Sequence, residues 1–161
     1  MWYFRKFSDG LVVMHTRPEH ASALEALQRI CFPTLDDAER FKAPHYLKHL
    51  ELFPDGQFVV LDGDRVVGAT TTLRLHFDFD HVTHTFADII EGGWLTSHEP
   101  DGDWLYGADV GVDPAYPGRG LATALYAAAV PAAYLHPAIS LALLALIAAI
   151  YVVPEAWPKY S

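Results

Sequence analysis

The residues best suited to do chemistry lie between Tyr106 and Ala128 of the 161-residue chain. A strand-like run through Val112 gives way to Asp113-Pro114-Ala115-Tyr116-Pro117-Gly118-Arg119-Gly120, a loop dense in Pro and Gly, and then to an Ala-rich helical segment from Leu121. The order of these parts matters. Glycines at 118 and 120 let backbone N–H groups turn towards a bound anion, the new helix points its positive dipole end at the same place, and Arg119 adds a formal positive charge. Such a loop should cradle phosphates; its plainer reading is a tight strand-to-helix turn. Two nucleotide-binding patterns do not fit. A Walker loop ends in Gly-Lys-Ser/Thr, whereas Gly120 is followed by Leu121 and Ala122, and a dinucleotide fingerprint needs Gly or Ala where this chain has Thr123.

Just upstream, strict alternation puts Leu105, Gly107, Asp109 and Gly111 on one face of the strand 104–112, so that glycines leave room beside the Asp109 carboxylate. Other elements must hold this strand and loop in place. Leu11 to His15 reads as a short strand, with Pro18 where a first helical turn tolerates it. Ala21, Leu24, Leu27, Ile30 and Cys31 recur at three- and four-residue steps, which predicts a helix whose apolar stripe packs on a sheet, with Cys31 in the core. Thr34 and Asp37 have the spacing of a helix N-terminus, predicting a second helix towards Leu52 that Pro44 bends or divides. Gln57 to Leu61 and Arg65 to Leu75 predict a hairpin joined at Asp62-Gly63-Asp64. Thr83 to Glu91 reads as a helix ending at Gly92-Gly93, and Trp94 to Thr96 and Trp104 to Val112 as strands around a turn-rich stretch. Leu121 to Val130 is a helix stopped by Pro131.

Length and composition allow about one domain. The net charge of -9 is uneven: residues 1–74 carry nine basic and ten acidic side chains, residues 75–118 carry nine acids and no Lys or Arg, and residues 120–154 carry no formal charge. Without clustered Lys and Arg, nucleic-acid binding is not expected. A single Cys31 excludes an intramolecular disulfide and a multi-Cys zinc site, as suits a reduced cytoplasmic protein, and Met1 to Gly10 lacks the apolar core of a signal peptide. His76, Asp78, Asp80, His81 and His84 have ligand chemistry, but their spacing does not converge them. A solvated hairpin and helix is the better reading, and no metal is expected.

Around the loop the sequence resembles the Gcn5-related N-acetyltransferase (GNAT) family, whose pyrophosphate loop reads R/Q-x-x-G-x-G/A after a Val-x-Pro stretch. Val112-Asp113-Pro114-Ala115-Tyr116 and Gly118-Arg119-Gly120-Leu121-Ala122 look like that loop with its helix start. Phe53-Pro54-Asp55-Gly56-Gln57-Phe58, Thr96 to Asp103 and Leu105 to Val110 are similar to a subgroup that includes acetyltransferase domains fused to a carbon-nitrogen hydrolase. The resemblance covers about residues 9–128. It departs at Pro117, where the family has Arg or Gln, and after Ala128, where an apolar stretch stands in place of the family's fifth strand and Tyr-bearing helix.

The resemblance implies an α/β (α+β) fold of the acyl-CoA N-acyltransferase kind: a mixed, mostly antiparallel sheet flanked by helices. It places an acetyltransferase-like domain at 1–130, followed by an unmatched apolar segment at 131–161. It implies transfer of an acetyl group from acetyl-CoA, as cosubstrate, to a small-molecule or peptide amine. Val110, Gly111 and Val112 would run beside the pantetheine arm, and Pro117, Gly118, Arg119, Gly120, Leu121 and Ala122 would meet the pyrophosphate. Asp109 is then the candidate base, directly or through water; its plainer role is pairing with a neighbouring donor. No acid is assigned, because Tyr134, Tyr151 and Tyr160 lie outside the matching region. His98 either lines the acceptor site or caps a turn. The acid-rich stretch either attracts cationic amines or is an ordinary soluble surface. The tail, Ala138 to Val153, reads as a membrane anchor extended from Leu135, as a buried element covering the sheet edge, or, preferred here, as an altered end on a truncated acetyltransferase. Two further functional readings stand beside the enzyme: a non-catalytic CoA-binding or interaction module, and a membrane-tethered domain.

Overall fold

The computed structural model describes residues 4–7, 9–77 and 85–133. Five antiparallel strands lie in chain order across one sheet: β1 (Phe4–Lys6), β2 (Val12–His15), β3 (Phe58–Asp62), β4 (Arg65–Leu75) and β5 (Trp104–Val112). Helices α1 (Ala21–Cys31) and α2 (Ala43–Leu52) cover one face, α4 (Leu121–Ala133) covers the other, and the short α3 (Phe86–Ile90) lies between β4 and β5 in the chain.

β-branched residues on alternating positions build both sides of the core. Val13, Phe58, Val60 and Val67 meet Leu121, Leu125, Ala128 and Ala129 of α4, all buried. Met14, Val59, Val66 and Ala69 meet Leu24 and Leu27 of α1 and Tyr46 of α2. Truncating a fully buried side chain such as Leu125 to Ala costs roughly 2–5 kcal/mol.

β4 outruns β3. Backbone pairing between them ends at Thr70, and side chains then take over the ladder. The Gln57 carboxamide donates to Thr72 O (2.7 Å) and accepts from Thr72 N–H (3.3 Å). His98 Nδ1 accepts from Arg74 N–H (3.0 Å), Glu99 N–H donates to Arg74 O (2.9 Å), and the Glu99 carboxylate accepts from His76 N–H (2.6 Å). The Arg74 guanidinium closes the arrangement on the carbonyls of Pro100 and Gly102. The stretches 53–58 and 96–103 therefore serve as the finishing edge of β4.

Several sequence expectations are corrected. No helix begins at Thr34: Arg40 reaches back to the carbonyls of Phe32 and Pro33 (both 3.0 Å) and holds a turn there. α2 instead starts at Ala43, so Pro44 occupies a first turn, where its missing N–H is tolerated. Trp94 to Thr96 is a turn, because Gly92 and Gly93 (φ 66° and 97°) reverse the chain and Leu95 (φ 54°) drops into the core. Pro131 does not stop α4, which continues to Ala133; a single proline removes one helical hydrogen bond without ending the helix. Of the helix read at Thr83 to Glu91, the described part is helical over Phe86–Ile90 behind a Thr85 cap, and β1 has no counterpart in the sequence reading. Asp78, Asp80, His81, His84 and the tail 134–161 lie outside the described residues.

Candidate active site on the edge strand

β5 is the edge strand of the described sheet, and its pairing with β4 slips once. Thr71 faces Asp109 while Thr72 faces Gly107, leaving Ala108 without an opposite residue. One extra residue reverses the alternation downstream of it. Leu105 and a side chain at Gly107 point towards α4, but the Asp109 carboxylate reaches Gln28 of α1, and a side chain at Gly111 would meet Cys31 Sγ at 3.1 Å. The expectation that Leu105, Gly107, Asp109 and Gly111 share a face is thus corrected: Asp109 shares its face with Gly111 alone of those three.

Asp109 sits under α1, where its Oδ2 accepts a hydrogen bond from Gln28 Nε2. Burial pushes its carboxyl from 3.8 up to about 6, partly offset by the Gln28 amide and the Val110 N–H, which favour the ionised form. Gln28 is the residue that sequence reasoning missed. It falls within the buried stripe of α1, four residues after Leu24, and a polar residue on an apolar stripe was the available signal. The Tyr46 phenol lies against the same pair, pushed well above its usual pKa first by burial and then by the Asp109 charge. Beside Asp109 the Cys31 thiol is raised to about 11, mainly by burial, so it stays protonated.

The loop after β5 is anchored to the β3–β4 hairpin. Buried Asp113 accepts from the Arg65 guanidinium (2.5 Å) and from Ala115 N–H (2.9 Å), and the Tyr116 hydroxyl donates to Asp62 (2.6 Å). Gly118 and Gly120 both take positive φ (68° and 65°), and a side chain at either would meet open space. The Gly120 carbonyl accepts the N–H of Ala124 (2.9 Å), so the N–H groups of Leu121, Ala122 and Thr123 precede the first helical bonds of α4. Arg119 stacks on Tyr116 (5.3 Å) and pairs with Asp9 (3.2 Å), and Pro117 is exposed. Val110 and Val112 pack towards α4, leaving the backbone of 110–112 along the sheet edge.

Other candidates fall elsewhere. His98 caps the β4 edge and stacks on Phe53 (4.8 Å). His76 pairs with Asp103 (2.9 Å), which raises its pKa, and among the described residues no group of three His, Cys, Asp or Glu side chains is arranged to hold a metal ion. No helix among them is long and apolar enough to cross a membrane.

An antiparallel sheet with a bulged edge strand leading into a glycine turn and helix defines an acyl-CoA N-acyltransferase-like fold, and solved structures agree. One is similar at TM-score 0.63 and 26% identity, covering 78% of this chain and 60% of its own: a GphF GNAT-like decarboxylase in complex with isobutyryl-CoA. The loading GNATL domain of CurA from Lyngbya majuscula shares the fold at TM-score 0.61 and 19% identity, covering 75% of this chain and 57% of its own. The model of the acetyltransferase (GNAT) family matches residues 21–146, and the chain belongs to that family. Two Bacillus subtilis (strain 168) proteins are similar: the probable hydrolase YhcX, 34% identical over 69% of this chain, and the uncharacterized N-acetyltransferase YkwB, 33% identical over 70%. The aligned part makes up 21% and 50% of those relatives' lengths. Family and fold together support acyl transfer as the general chemistry.

Proposed function

We propose that the chain transfers an acetyl group from acetyl-CoA to an amine, with Asp109 as the base. The observation that carries this reading is the position of Asp109: on the edge strand, one residue past the bulge, with a carboxyl raised to about 6. A base poised just below neutral pH is mostly ionised yet accepts a proton more readily than a surface carboxylate. Gln28 fixes its rotamer, and α1 keeps bulk water from one side.

The residues present fit the cosubstrate. Val110, Gly111 and Val112 offer an edge backbone to the amides of an extended arm. The open turn at Gly118 and Gly120, with the helix start at Leu121 and Ala122, offers N–H groups to phosphates. Pro117 contributes no donor, so the cradle rests on backbone and on Arg119. The isobutyryl-CoA held by the GNAT-like decarboxylase supports an acyl-CoA here, and the similarity to a probable hydrolase over a fifth of that protein is in keeping with a domain that accompanies a hydrolase.

The test is release of free CoA thiol from acetyl-CoA across a panel of small amines and peptides. Asp109→Asn should lower kcat by about 10²- to 10⁴-fold while the Kd for acetyl-CoA stays within a factor of about two. An Asn variant as fast as wild type would remove Asp109 from the chemistry. The neighbouring decarboxylase suggests a second reading, loss of carbon dioxide from a carboxylated acyl-CoA such as malonyl-CoA; carbon dioxide release without an amine would favour it.

A further inference from the structure

Strand β4 carries three buried threonines in a row, Thr70, Thr71 and Thr72. A hydroxyl inside a sheet is costly unless it finds a partner, and valine fills nearly the same space without that cost. Two of the three hydroxyls have backbone partners, on opposite sides of the strand. Thr72 Oγ1 donates to Gly56 O (2.7 Å), just ahead of β3, whereas Thr70 Oγ1 donates to Asp109 O (3.0 Å) on β5. The second bond runs diagonally, because Thr70 stands opposite Val110 and it is Thr71 that stands opposite Asp109. Its acceptor is the carbonyl of the first residue after the unpaired Ala108. A bulge breaks the ladder locally, and backbone groups beside it need other partners. Here a side chain 39 residues earlier supplies one. Asp109 is thereby held twice, its carbonyl by Thr70 and its carboxylate by Gln28. Thr70 is a firm anchor: it is 2% exposed, and the strand beyond it is tied down where the Gln57 carboxamide bonds both Thr72 N–H and Thr72 O. Pairing Ala108 with Thr71 instead would take the Asp109 carboxylate off the α1 face.

We propose that Thr70 is a positioning residue for the base: its hydroxyl holds the Asp109 peptide in the bulged pairing and so keeps the carboxylate beside Gln28. Its part in turnover rests on the acetyl-transfer reading, whereas its hold on the bulge belongs to the strand pair and is measurable without substrate. Thr70 acts through Asp109 and contributes no proton of its own to the reaction.

Two measurements on the full chain test this. Thr70→Val keeps the shape and removes the donor, Thr70→Ala removes it without adding bulk, and Thr70→Ser keeps it. The first measurement is NMR without substrate. In wild type the Gln28 side-chain amide should shift as Asp109 titrates near pH 6, where the neighbouring Cys31 thiol and Tyr46 phenol both stay protonated, and cross-strand contacts should pair Thr71 with Asp109. In the Val and Ala variants the Gln28 response should fall at least about twofold and contacts from Thr71 to Ala108 should appear, while the Ser variant matches wild type. The second measurement is thiol release from acetyl-CoA with the amine panel. Thr70→Val should lower kcat roughly 3- to 10-fold, the size of one neutral hydrogen bond, with KM for acetyl-CoA unchanged, and Thr70→Ser should recover it. In an Asp109→Asn background the same Val substitution should change kcat by less than about twofold, because no carboxylate is left to position; a merely structural role lowers both backgrounds alike. Donor-less variants with the wild-type Gln28 response and contacts, a Ser variant as impaired as Val, or equal losses in both backgrounds overturn the assignment and leave Asp109 standing. An Asp109→Asn variant as fast as wild type removes the base and the role of Thr70 in turnover together, and the NMR result then decides whether Thr70 holds the bulge.

Discussion

Asp109→Asn should make the protein more stable as it makes it less active. The Asp109 carboxyl moves from 3.8 to about 6 on folding, chiefly through burial. Between those two pH values the folded chain holds a proton that the unfolded chain has released. Stability therefore falls as pH rises through this window, and the penalty is complete above about 6. At 1.36 kcal/mol per pKa unit the shift corresponds to about 3 kcal/mol at neutral pH and to nothing below about 3.8. Asparagine keeps an acceptor for Gln28 but cannot serve the Val110 N–H as well, so the net gain should be about 1–3 kcal/mol. For a domain of this size that raises the melting temperature by roughly 3–10 °C. Thermal unfolding of wild type and variant at pH 7.5 and at pH 4 measures it, and taking the difference cancels the other titrating groups. A variant that gains nothing at pH 7.5 relative to pH 4 would show that the carboxylate is well solvated and would remove the physical ground for proposing it as the base.

Gln28→Leu removes the donor that favours the ionised carboxylate; at about 1.5–3 kcal/mol for a hydrogen bond to a charge, the acid limb of kcat/KM should move up by about 1–2 pH units, and an unmoved limb would detach Gln28 from the base. Gly120→Asp sets a negative charge where phosphate is proposed to bind and asks a side chain to adopt φ 65°. CoA affinity should drop at least 10-fold for a stability cost of about 1–2 kcal/mol, and an unchanged Kd would make the loop a turn and nothing more. Gln57→Leu strands Thr72 N–H, Thr72 O and Phe53 O, and should cost roughly 2–4 kcal/mol by urea unfolding, with loss below 1 kcal/mol counting against the side-chain ladder.

Much of the local geometry at the candidate site is legible in the sequence because its signals are local. Strand β5 was readable to its last residue, since an apolar run bounded by Asp103 and Asp113 needs no tertiary information. The turn at Gly118 and Gly120 was readable for the same reason, and both glycines take the positive φ that the residue type allows. What failed depended on partners outside the local motif, near in the chain or far along it. The face of Asp109 is set by pairing with Thr71 rather than Thr72, a choice made between strands. The Thr34 and Asp37 spacing has the local form of a cap, but Arg40 takes the carbonyls of Phe32 and Pro33 and Asp37 is drawn to Lys42 (2.5 Å), a competition that motif spacing does not contain. Gln28 stood inside an apolar repeat and became meaningful only when Asp109 was seen to lie 81 residues away in sequence and in contact in space.

The unpaired Ala108 makes the edge strand a counting device. Were Ala108 to pair regularly with Thr71, Val110 and Val112 would exchange sides with Asp109 and Gly111, turning a carboxylate into the apolar cluster around Leu121 and Leu125 and turning valines towards Gln28. The sequence is identical in the bulged and the regular pairing, yet the regular one inverts the chemistry of the edge beyond Gly107. What β5 has to keep is the pairing of Asp109 with Thr71, because that register decides which of its side chains meet Gln28 and which meet α4.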